Sequence, residues 1–125
     1  MSNQGNVVFI PSAKSNFPKL TFRTGRWSGG MMHSWVKDLL AKACGLSGEA
    51  QERDFLWALC HTGSIEFPIV EIGNEDVPTM VISFEHRTVA FVKFTYGNNP
   101  PETMAIWPLE QFLAEPSDTF RDWYE

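Results

Sequence analysis

Cysteine is scarce in this chain: 125 residues contain only Cys44 and Cys60. Two thiols cannot build the multi-bridge framework on which small secreted domains rely. Long apolar runs are also missing, and nothing approaches the roughly eighteen consecutive apolar residues that span a bilayer. The first residues, Met1 to Asn6, hold no cation, and the apolar run Val7 to Ile10 is too short for a signal peptide. The expectation is a soluble, cytoplasmic protein with both thiols reduced and no membrane partner. Basic residues are too few for a polyanion surface. Ten Lys and Arg against fifteen Asp and Glu leave a net charge of −5, and nucleic-acid binding needs clustered cations to displace counterions.

The spacings that carry chemistry are absent as well. His33, His61 and His86 belong to no His-x-x-x-His, the cysteines form no Cys-x-x-Cys, and no calcium loop occurs, so no metal site is expected. Gly25, Gly29 and Gly30 are not followed by the Lys-Ser or Lys-Thr of a phosphate loop, and there is no Gly-x-Ser-x-Gly elbow. No cofactor is implied. Cys60 and His61 are neighbours, and neighbours on a helix point about 100° apart, which is poor geometry for a nucleophile and its base. No catalytic residue is therefore expected. A small hydrolase or nuclease using His61 or His33 with an acidic partner is the alternative.

What the chain does have is core material: 43% of residues are hydrophobic and 20% charged, with ten Phe and five Trp. That composition suits one domain spanning 1–125. The β-branched and aromatic runs Met80–Phe84 and Val89–Phe94, separated by Glu85-His86-Arg87-Thr88, predict a central hairpin over 79–95. Its turn lacks Asn-Gly and Asp-Gly, and His86 is expected to be exposed there. Asn6–Ile10 and the alternating segment 19–24, with Leu20 and Phe22 on one face, predict two strands that pair as a hairpin. Ile65–Ile72 reads as a strand that Pro68 confines to an edge or a bulge. Met104–Trp107 reads as a last short strand.

Helices are predicted over 31–44 and 48–62. The first has apolar residues at Met32, Trp35, Val36, Leu39, Leu40 and Ala43, a three-four spacing that makes one buried stripe, with Lys37, Asp38 and Lys42 facing water. Ser28 and Gly45 suit its caps, and Ser47 suits the start of the second. The second half of that second helix is apolar on nearly every side and is expected to be the more buried of the two. Pro108 suits the N1 position of a short helix to Glu115, with Ser117 capping a final turn. The fold class expected is thus α+β, a single antiparallel sheet of about five to six strands with two helices on one face and a short C-terminal helix.

Functionally, the C-terminal stretch combines rings and carboxylates. Glu110, Glu115, Asp118, Asp122, Trp123 and Tyr124 form a candidate partner-binding surface, in which aromatics anchor and acids steer a basic protein. The expected function is a non-enzymatic protein-binding module, an acidic inhibitor or immunity-type protein that neutralises a basic toxin, nuclease or defence enzyme. A structural subunit or chaperone of a larger assembly is a further alternative.

Overall fold

A computed structural model describes residues 5–24, 31–43, 49–62, 65–69, 77–94, 100–116 and 119; for Glu49 and residues 65–69 it describes the backbone alone. Along the chain the elements are β1 (Asn6–Ile10), β2 (Leu20–Thr24), α1 (Met32–Ala43), α2 (Glu49–His61), β3 (Ile65–Ile69), β4 (Thr79–Ser83), β5 (Thr88–Lys93), β6 (Glu102–Pro108) and α3 (Leu109–Ala114). The fold class is α+β. One six-stranded sheet has the order β3-β2-β1-β4-β5-β6.

The sheet corrects the expectation of a wholly antiparallel array. β1 and β4 run parallel, with Val7 beside Met80 and Phe9 beside Ile82, while the other four pairs are antiparallel. Alternation of apolar and polar residues says which side chains face the core, but it reads the same in either strand direction, so it carries no polarity. The unbroken apolar run Val7-Val8-Phe9 does match a strand buried at the centre of a sheet, where both faces are covered. The predicted hairpins β1–β2 and β4–β5 are present, the second closing through residues 84–87.

Period-two alternation puts Val7, Phe9, Phe22, Met80, Ile82, Val89 and Phe91 on one face, and all three helices pack there. Met32, Val36, Leu40 and Ala43 come from α1, Phe55 and Leu59 from α2, and Leu109 and Phe112 from α3. Burial of such side chains is worth about 1.5–3 kcal/mol each. Phe9, Phe55 and Phe84 form the centre, with ring centroids 5.8–6.5 Å apart, which ties β1, α2 and the hairpin turn together.

Three sequence expectations shift in detail. In α1 the fully buried positions are Met32, Val36, Leu40 and Ala43, with His33 beside them; Trp35 and Leu39 are half-buried, and the Lys37 ammonium donates to the Glu115 carbonyl instead of facing water. In α2 the expectation of deep burial fails. Trp57, Cys60 and His61 are exposed while Phe55 and Leu59 alone among its large apolar side chains are fully buried. The helix faces a sheet on one side only, so its second stripe is left open. Pro108 ends β6 and serves as the N-cap of α3, one position ahead of N1, with ψ 141 in the extended region. Ser28, Cys44, Gly45, Ser47 and Ser117 lie outside the described residues, as does the segment 70–76.

Candidate functional site on the outer face of α2

Helical geometry gives α2 two faces with different chemistry. Gln51, Glu52, Phe55 and Leu59 turn inward, whereas Arg53, Trp57, Cys60 and His61 are exposed. Asp54, Trp57, Ala58 and His61 are spaced i, i+3, i+4 and i+7, so they line one stripe. The inward side is anchored by a buried carboxylate. Glu52 accepts the backbone N–H of Ser12 at 2.7 Å on one oxygen and the Ser12 hydroxyl at 2.8 Å on the other, and it is only 3% exposed. This two-point bond fixes the helix against the loop that follows β1.

On the outer stripe Trp57 is 61% exposed, which is unusual for the largest side chain. Its ring is nonetheless held in place. The His61 imidazole stacks on it with centroids 4.0 Å apart and planes 17° from parallel. His61 Nδ1 lies 2.8 Å from the Trp57 carbonyl oxygen. A carbonyl only accepts, so Nδ1 carries the proton and Nε2 is left facing away as the second polar atom of the ring. One face of the indole is covered by the imidazole, and most of the rest of the residue stays in contact with solvent.

Two hollows flank the indole. The first, about 380 Å³, runs between the helices and is lined by Leu39 and Lys42 of α1 and by Asp54, Trp57, Ala58, His61 and Thr62. The second, about 360 Å³, lies beside Arg53, Asp54 and Trp57. Both fall at the lower end of the range for small-ligand sites. Among the described residues, no group of three or more His, Cys, Asp or Glu side chains is placed to hold a metal ion. Cys60 is a free, exposed thiol.

Of the residues singled out from the sequence, the described ones fall at separate places in the fold, apart from Glu110 and Glu115, which share α3 and its C-cap. His33 is buried in α1, 3% exposed, whereas His61 is on the outer stripe, so the two histidines of the alternative enzymatic reading occupy different environments. Glu110 is exposed on α3, but one of its carboxylate oxygens accepts from Arg87 Nε at 3.1 Å and Nη2 at 2.5 Å. That hydrogen bond holds the Glu110 carboxyl below its ordinary value of 4.5. Arg87 also donates to Gln51 Oε1 at 3.2 Å, so one guanidinium joins the β4–β5 turn to α3 and α2. Glu115 is half-buried; its carboxylate accepts the Thr119 hydroxyl at 3.2 Å. Asp118, Asp122, Trp123 and Tyr124 lie outside the described residues. His86 stands exposed in the hairpin turn, as its position predicts, 3.8 Å from Glu85.

Sequence reasoning missed Trp57 as a surface residue. The available signal was the i, i+4 repeat of two flat rings, Trp57 and His61, opposite the inward pair Phe55 and Leu59.

No family model matches the chain, and no curated protein or solved structure resembles it significantly. Among the described residues, no helix is long and apolar enough to cross a membrane.

Proposed function

We propose that the chain is a non-enzymatic protein-binding module, an acidic inhibitor of immunity type, that engages a basic partner protein through the outer face of α2. The observation that carries this reading is Trp57, widely exposed yet held flat by the His61 stack. Tryptophan is the residue most enriched among the anchors that dominate binding energy. An anchor whose ring is already ordered loses less entropy when a partner closes over it. The net charge of −5 supplies long-range steering toward a basic surface, and Trp57 supplies the short-range contact. Glu110 contributes less to steering than its exposure suggests, because Arg87 already sits on its carboxylate.

The sheet edges argue against docking by strand addition. Both edge strands carry a register irregularity, between Arg23 and Thr24 opposite β3 and between Phe91 and Val92 opposite β6. Each also contains a proline, Pro68 and Pro108. Bulges and prolines are the devices that keep an edge from accepting a further strand, which favours a helical surface for docking.

Parallel capture from host lysate on the wild-type chain and on Trp57→Ala tests this. The expected result is a basic protein retained by the wild type, lost from the variant, and associating more slowly as salt rises. The variant should keep its stability within about 0.5 kcal/mol, because the site is exposed. A partner set identical for both baits, or a captured partner that is acidic, would sink the proposal. Turnover of a substrate by the purified chain would replace it with the enzymatic reading.

A further inference from the structure

The hollow between α1 and α2 brings together an unusual set of groups. Its lining combines the half-buried apolar Leu39 and Ala58, the stacked Trp57–His61 pair, Thr62, and one exposed cation and one exposed anion, Lys42 and Asp54. Among the described residues, Lys42 and Asp54 have no ion-pair partner, with each other or elsewhere. Two opposite charges that line one hollow without pairing, beside a flat aromatic wall, are complementary to a ligand carrying both charges and a ring.

We propose that this hollow binds a free aromatic α-amino acid. The ring lies against Trp57 above Leu39 and Ala58, where offset stacking adds to the burial of apolar area. The α-carboxylate pairs with the Lys42 ammonium and the α-ammonium with the Asp54 carboxylate. The volume of about 380 Å³ suits a ligand of this size. A simple anion would meet Asp54 as a repulsive neighbour, and a simple cation would meet Lys42; only the zwitterion satisfies both. His61 acts as a positioning residue, because its stack and its bond to the Trp57 carbonyl hold the indole against the open side of the groove. The ligand shares Trp57 with the proposed protein interface, so the two would compete for the ring, but the test requires no partner and its outcome does not depend on one.

The test uses the full chain and three probes followed by NMR at the Trp57 indole and His61 imidazole: phenylalanine, phenethylamine, which lacks the carboxylate, and 3-phenylpropionate, which lacks the ammonium. Phenylalanine should give saturable shifts with a Kd on the order of 0.1–1 mM, as expected for an open site with solvent-screened charges. Lys42→Ala should weaken phenylalanine about fivefold or more while leaving phenethylamine unchanged. Asp54→Ala should do the same to phenylalanine while leaving 3-phenylpropionate unchanged or tighter. Trp57→Ala should weaken all three probes, and the exchanged pair Lys42→Asp with Asp54→Lys should restore part of the phenylalanine affinity. Absence of saturable shifts with phenylalanine at about tenfold above that range overturns the proposal. So do one-charge probes that bind as tightly as the zwitterion, and so does a Lys42→Ala effect equal on all three ligands.

Discussion

Arg87 shows how a single residue can be held in a conformation its chemistry disfavours. Its φ of 52 lies in the left-handed region, where an L side chain costs about 1 kcal/mol relative to glycine. The compensation is the guanidinium's reach to Glu110 and Gln51, together with the Arg87 carbonyl, which accepts the Leu109 N–H at 2.9 Å. Arg87→Ala should lose the side-chain bonds and keep the strain, costing about 1 kcal/mol in urea melts. Arg87→Gly should lose the same bonds but relieve the strain, and so fall between Arg87→Ala and the wild type. A glycine variant less stable than the alanine variant would refute the strain. The same pair makes a pH prediction. Arg87 depresses the Glu110 carboxyl in the folded state, so its contribution is present above the unfolded value and disappears as pH falls through the folded one. The stability difference between wild type and Glu110→Gln should be small, because the pair is exposed. It should be constant near neutrality and vanish in acid, below the ordinary carboxyl value of 4.5.

At the level of elements, the two long helices divide the work. α1 is wedged between the sheet, α2 and α3, and Leu40 is fully buried while Leu39 is only partly so. Leu40→Ala should therefore cost about 2–5 kcal/mol in denaturant melts, and Leu39→Ala distinctly less. Equal losses would mean that the inward stripe is misplaced. α2 is anchored by Phe55, Leu59 and the Glu52–Ser12 bonds, which leaves its other side available. Three-four spacing in α1 predicted its core contact; the spacing in α2 is just as regular, but Leu56, Trp57 and Ala58 blur the boundary between its faces. Hydrophobicity alone then reads as burial, although a large ring on a one-sided helix can as well stay outside.

For the whole molecule, the sheet edges decide how the chain meets its surroundings. Pro68 lies within β3, opposite Phe22 and on the outermost strand, where its missing N–H removes a donor that a second strand could use. Pro68→Thr should restore that donor and raise self-association in sedimentation velocity over the wild type. Identical sedimentation at matched concentrations would show that the proline does not guard the edge. The net charge of −5 acts at this scale as well. Like-charged copies repel at long range, an effect that weakens with added salt.

Much of the architecture was legible in local pattern. The alternation in β4 and β5 marked the hairpin, Pro68 marked an edge strand, the stripe from Met32 to Ala43 marked a core helix, and Pro108 marked the start of α3 to within one residue. These features depend on side-chain periodicity and on backbone groups that a few adjacent residues determine by themselves. The parallel pairing of β1 with β4, the open stripe of α2, and the Arg87 link across 23 and 36 residues to Glu110 and Gln51 depend on packing between distant segments. Strand direction leaves no mark on alternation, and whether a ring is buried depends on what lies opposite it. Trp57 shows the division most clearly: its sequence neighbours set its place on the helix, and only the one-sided packing of α2 on the sheet left it exposed.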